Sequence, residues 1–160
     1  MQLCYFRRVK FYTVPFLDIP AGKLYRILAL RSDVFVVEQN CAYQDLDGKD
    51  EQSIWVWAED ESGNVHATAR LLPAGISYKE ISIGRVCSSL SSRGTGLGKA
   101  LMRECLEQSE QIWGKETITI SAQQYLLKFY NELGFVEEGE MYLEDDIPHL
   151  KMKRKGEWKG

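Results

Sequence analysis

Between residues 81 and 102 an apolar, β-branched run (Ile81, Ile83, Val86) gives way to a Ser/Gly loop, which opens directly into a segment with apolar residues at Leu97, Leu101 and Cys105. The change of period reads strand, glycine-rich turn, helix. Gly94, Gly96 and Gly98 let the backbone approach a bulky anion. The first amides of the new helix have no internal partner and lie at the positive end of its dipole. Such a loop is built to hold phosphate. Arg93, Gly94, Thr95, Gly96, Leu97, Gly98 and Lys99 are its candidate cradle, with Arg93 as a side-chain ligand. The plain alternatives are a turn that only caps its helix and an arginine that only faces water.

Spacing narrows the ligand. A Walker loop needs glycine, four residues, then Gly-Lys-Ser/Thr. Here Arg93 stands where the first glycine belongs, and Ala100 follows Lys99 in place of the magnesium-binding hydroxyl. The Gly-x-Gly-x-x-Gly dinucleotide fingerprint also fails, because these glycines alternate and the loop lies in mid-chain.

At 160 residues, 44% hydrophobic and 27% charged, the chain suits one domain spanning 1–160 with a sizeable core. No apolar run reaches the ~20 residues of a membrane span, and the N-terminus lacks a signal-type core. A net charge of -3 argues against a nucleic-acid partner. Cys4, Cys41, Cys87 and Cys105 show neither metal-ligand nor disulfide-framework spacing, so free thiols in a reducing, cytoplasmic setting are expected. The basic tail from Lys151 to Lys159 reads as a final strand and a solvated end.

The remaining periodicities predict a first strand over 3–14 and a helix start at Asp18-Ile19-Pro20, with Asp18 as cap. One or two helices follow over 23–37, where Val34 to Val37 are β-branched enough to break away. Strands over 54–59 and 65–72 are joined by the turn Ser62-Gly63-Asn64. After the motif come a strand over 117–121 and a helix with Leu126, Phe129, Tyr130 and Leu133 on one stripe, stopped by Gly134. Strands over 135–138 and 147–154 finish the chain. The order is mixed α/β.

The loop Arg93-x-x-Gly96-x-Gly98 between strand and helix resembles the pyrophosphate loop of the GNAT superfamily of N-acetyltransferases. Phe129-Tyr130 with Gly134-Phe135 resembles that family's second signature. The run Val34 to Gly48, with Ser121-Ala122-Gln123 and Ile147-Pro148-His149, is similar to the ElaA-like branch. The resemblance implies a mixed central sheet with a splayed centre and helices on both faces. It implies acetyl-CoA as co-substrate, no metal, and direct transfer to the amine of a small molecule or peptide; a homodimer is compatible with it. It also implies an amide donor for the carbonyl oxygen at Val86 or Cys87, and Tyr130 as proton donor to the leaving thiolate. The competing class is a CoA-binding regulatory or interaction module without turnover.

Each residue also has a plainer reading. Tyr130 on an apolar stripe could be core. Asn131 touches either the cofactor or solvent. Cys87 as an acyl carrier is rejected, because no base adjoins it in sequence and strand thiols are usually inert. An amine is largely protonated at neutral pH, so a base is required. Glu38 is the first candidate for base or amine anchor and His149 the second, against readings as a surface carboxylate and a hydrogen-bonded strand residue. His66 is expected only to pack. Asp45, Asp47 and Asp50 do not match a calcium loop. They read as an acidic stretch which, with Glu144 to Asp146, draws a cationic amine toward Glu38.

Overall fold

The computed structural model describes residues 9–156. The start of the expected first strand, Cys4 and the last residues of the basic tail lie outside the described residues. The elements run β1 (Val9–Pro15), α1 (Ala21–Ser32), β2 (Ile54–Asp60), β3 (Val65–Leu72), β4 (Ile81–Ser88), α2 (Leu97–Trp113), β5 (Ile118–Gln123), α3 (Leu127–Asn131), β6 (Val136–Glu137), β7 (Tyr142–Glu144) and β8 (Ile147–Arg154). The strands form one sheet in the order β1-β2-β3-β4-β5-β8-β6, with β7 also paired to β8.

Helices cover both faces, and strand alternation decides which residues meet which helix. Trp55 and Trp57 of β2 bury against Ile27 of α1. Val56 and Ala58, between and beside them, turn to the other face. There they join the stripe Leu97, Leu101, Met102 and Cys105 of α2. A truncation such as Leu101→Ala in this core costs about 2–5 kcal/mol.

Every strand pair is antiparallel except β4–β5, which is parallel and in register only at Ile81↔Ile118 and Ser82↔Thr119. Beyond Ser82 the two strands part. On its other side β4 carries a bulge: Cys87 faces Thr68 and Gly84 faces Arg70, so Arg85 and Val86 together oppose Ala69. Arg85 takes the left-handed conformation, with φ 51°.

Three expectations need correction. Asp18 does not cap α1; it closes a 3-10 turn over Phe16–Asp18, and Pro20 occupies the N-cap position. The β-branched Val34 to Val37 do not break away. Asp33 stays helical, and the chain continues as a π-helical segment, Asp33–Glu38, with Val34 buried against Leu30 and Cys87. Packing here overrides propensity. The sequence reading also missed β7, a three-residue strand too short to show a period. The stripe from Leu126 to Leu133 is present, but only Leu127–Asn131 is regular α-helix, entered through a 3-10 turn and closed at Gly134 with φ 88°.

Candidate active site

The parting of β4 from β5 opens a cleft of about 1040 Å³, floored by Leu101, Leu126, Phe129 and Tyr130. The glycine loop borders one end. Gly94 and Gly96 take φ 72° and 86°, conformations that side-chain-bearing residues rarely adopt, and Gly96 is the N-cap of α2. No backbone acceptor among the described residues takes the amides of Gly94, Gly96, Gly98 or Lys99. A Cβ built on Gly98 would meet no atom within 4 Å, so that glycine keeps space open rather than filling a tight core. The serines preceding it anchor the loop. Ser89 donates its amide to His66 O at 2.8 Å, and its hydroxyl meets that of buried Ser92 at 2.5 Å. Free amides, a dipole end and an open glycine fit the pyrophosphate of a coenzyme A thioester.

Within the expected cradle, the parts differ. Arg93, Gly94, Gly96, Gly98 and Lys99 line the cleft with Val86 and Cys87. The Thr95 and Leu97 side chains do not. Thr95 Oγ1 donates to Ser92 O, and Leu97 is buried in the core, so either could serve only through its backbone. Asn131 is exposed and donates to Glu137 Oε1 at 3.5 Å, away from the cleft wall. Lys99 is paired with Glu132 at 2.9 Å.

Arg93 and Glu38, expected in separate roles, form one ion pair. The guanidinium meets Glu38 through both nitrogens, Nη2 to Oε2 at 2.6 Å, and holds that carboxyl below its ordinary range by hydrogen bonding. Glu38 ends the π-helical segment, so the pair ties that segment to the glycine loop.

Tyr130 is 7% exposed, packed edge-on against Phe129 and Phe135. Its hydroxyl has no hydrogen-bond partner among the described residues. Burial, then the nearby Tyr125 and Cys105, push its ionisation well above the ordinary tyrosine value, so it carries its proton throughout the physiological range. Burial also pushes the Cys87 thiol up to about 12, the wrong direction for a nucleophile.

The acidic stretch is not free to draw an amine. Arg31 Nε bonds Asp45 Oδ2 at 3.0 Å and its Nη1 bonds Asp50 Oδ1 at 2.9 Å. Arg70 forks onto Asp47 at 2.7 and 2.8 Å and reaches Asp50, while Arg85 Nε lies 2.8 Å from Asp45 Oδ1. Three arginines balance three aspartates. Burial alone would raise Asp47, but Arg70, the Lys49 amide and Arg85 hold it well below the carboxylate range. The expectation of Asp45 or Asp47 behind an amine is therefore corrected: these carboxylates are neutralised inside the protein.

At the far end of the cleft stands a set of side chains that sequence reasoning did not bring together. Ser121 on β5 donates to Glu144 Oε2 at 2.8 Å and shares a hydrogen bond with the Tyr142 hydroxyl. Tyr78, from the β3–β4 connection, lies beside Ser121 and Tyr142 and lines the cleft with Ser121. His149, 8% exposed, stacks on Tyr142 with ring centroids 6.1 Å apart and sets Nδ1 2.7 Å from Ile147 O. Gln123 reaches across to Gln39 at 3.3 Å. The available signal was alternation: Ser121 and Gln123, Tyr142 and Glu144, and His149 opposite both strands share one sheet face. The described residues hold no group of His, Cys, Asp and Glu arranged for a metal ion. None of their helices is long and apolar enough to cross a membrane.

A model of the acetyltransferase (GNAT) domain matches residues 32–155, which include the cleft, the glycine loop and Tyr130. The chain belongs to the GNAT acetyltransferase family. It is 40% identical to Protein ElaA of Escherichia coli K12 over 141 residues, covering 86% of this chain and 90% of that protein. The crystal structure of an acyl-CoA N-acyltransferase from Pseudomonas aeruginosa is similar with TM-score 0.86 and 40% identity, covering 91% of this chain and 99% of that one. The crystal structure of Escherichia coli ElaA matches with TM-score 0.86 and 34% identity over 92% and 99%. These relatives join the GNAT chain to its ElaA branch. The chemistry common to the family is acyl transfer from coenzyme A.

Proposed function

We propose that the protein moves the acetyl group of acetyl-CoA directly to a primary amine. The reading rests on one observation above all. A single cleft between parted strands joins an amide-lined glycine loop to a buried tyrosine whose hydroxyl has no partner among the described residues. The thioester supplies an activated carbonyl; the protein supplies position and proton management. The pyrophosphate rests on the amides from Gly94 to Lys99, with Arg93 turning from Glu38 toward it. The thioester carbonyl lies along the bulged part of β4, where the Val86 or Cys87 amide meets the oxygen as it gains charge. The amine lone pair forms the new N–C bond while the C–S bond breaks, and Tyr130 protonates the departing thiolate. Tyr130 is suited to this because burial keeps it protonated. The inert Cys87 argues for direct transfer over an acyl-enzyme.

The test is a screen of primary amines with acetyl-CoA, following free thiol release and mass gain of the amine. Thiol release that depends on one amine class, with one acetyl group added per thiol, is the expected result. Tight CoA binding by calorimetry without turnover on any amine would instead support the silent CoA-binding module.

A further inference from the structure

We propose that Tyr78, Ser121, Tyr142, Glu144 and His149 form the acceptor site, a seat for a primary alkylammonium in which Glu144 anchors the cation and His149 Nε2 takes its proton. This rests on the N-acetyltransferase reading and adds to it where the amine binds and what deprotonates it.

The argument begins with charge. Four carboxylates line the cleft: Glu38, Asp47, Glu144 and Asp145. Glu38 is held by Arg93, and Asp47 by Arg70 and Arg85. Glu144 and Asp145 have no lysine or arginine partner among the described residues. Glu144 has only the His149 ring, with Oε2 4.0 Å from Nε2. Both carboxylates are exposed and so open to an incoming cation, and a cleft joined to an acyl-donor loop admits one as substrate.

The histidine supplies the second, independent observation. The Ile147 carbonyl can only accept, so the proton between it and His149 Nδ1 belongs to the ring. In the neutral imidazole Nε2 then carries the lone pair. It lies on the cleft side, in a residue more than nine-tenths buried, with Glu144 as its nearest charged neighbour. A ring so oriented is a proton acceptor in place. Stacking on Tyr142 fixes its plane.

The hydroxyls complete the seat. Tyr78 and Tyr142 both lean on Ser121, and Ser121 donates to Glu144, so the carboxylate is oriented by a neutral donor instead of being neutralised by a cation. Burial first, then Tyr142 and Glu144, push Tyr78 up to about 12, so it remains a donor. The charged and titratable groups placed against His149 are Glu144 and Tyr142, both on its hairpin. Lys151, two residues on, is directed to Glu138 at 3.7 Å and to the Tyr78 ring. The step balances: an ammonium proton passes to Nε2, and the freed lone pair attacks the thioester carbon. The C–S bond breaks, Tyr130 protonates the thiolate, the second nitrogen proton leaves the N-protonated amide to water, and His149 then releases its proton to water while Tyr130 regains one.

Two measurements test this. In the first, CoA-saturated protein is titrated with n-butylammonium while the His149 imidazole is followed by NMR. Saturable shifts of those resonances in wild type, lost or weakened about tenfold in Glu144→Gln, are expected. No shift in wild type, or equal binding by Glu144→Gln, would overturn the seat. In the second, His149→Gln is assayed with the best amine of the screen, with CoA affinity measured alongside. Amine kcat/KM should fall roughly 10²–10⁴-fold. The acidic limb of its pH profile should vanish, and high pH, which deprotonates the amine in solution, should restore much of the loss. An unchanged pH profile and rate with intact CoA affinity would place the base elsewhere, with Glu38 next. Butylammonium binding at His149 in a protein that turns over no amine would overturn the acetyltransferase reading while keeping the seat.

Discussion

The two ends of the cleft are made of different material. The loop end is backbone: amides of a first helical turn, set by Gly94 and Gly96 at positive φ and offered through the space at Gly98. The far end is side chain: Ser121, Tyr142, Glu144 and His149 from three strands, with Tyr78 from a connection. Backbone sites need a local run of particular residues, whereas side-chain sites need only a fold. On the proposed reading, the first kind binds what every substrate pair shares, and the second is where acceptors differ.

This contrast can be broken by experiment, beginning with the wall common to both ends. Arg31→Met removes the buried partner of Asp45 and Asp50 and strips its guanidinium from Trp55. With the three aspartates left to two arginines, stability should fall by about 3–5 kcal/mol, read by denaturant unfolding. A loss under 1 kcal/mol would mean that water replaces the arginine. Tyr130→Phe should lower kcat about 10²-fold with CoA affinity nearly unchanged. A wild-type rate with chemistry shown to be rate-limiting would transfer the proton donation to water.

Gly98→Val tests the backbone end. The side chain enters open space, so the fold should hold while CoA affinity drops about tenfold or more, as charge-assisted bonds worth ~1.5–3 kcal/mol are obstructed. Equal loss of amine and CoA binding would erase the division of labour. Glu38→Gln should shift CoA affinity by no more than a few-fold, upward if the carboxylate competes with phosphate for Arg93, since partly exposed ion pairs are worth little. A large fall in amine kcat/KM instead would move the base to this end.

The smallest effect, a pH dependence that is flat near neutrality, concerns Asp47. Its folded pKa is depressed, so its contribution is complete above the unfolded value near ~3.9 and is lost as pH falls below it. Melting temperature should be flat from pH 7 to about 5 and decline under about 4, and Asp47→Asn should lessen that decline.

The same contrast explains what could be read in advance. The loop, the Tyr130 stripe and the strand–helix order are local patterns, and they are where the linear reading placed them. Glu38 and Arg93 are 55 residues apart, and no periodicity signals that they meet. Asp45 and Asp47 looked like a free acidic surface because the arginines that answer them sit at 31, 70 and 85. Glu144 and His149 face the cleft through a hairpin whose first strand has three residues and no legible period.

The bulge of β4 has a further consequence. Arg85 holds a backbone shape that costs a side-chain-bearing residue on the order of 1–3 kcal/mol, and it is pinned there by Asp45 and Asp47 from a loop some 40 residues away. The acidic loop is thus a clasp on a sprung strand. Loosening it would let β4 straighten onto β3 and move Val86 and Cys87, which line the cleft. A lineage could therefore lose catalysis through a distant aspartate while its protein stayed folded and still bound its coenzyme.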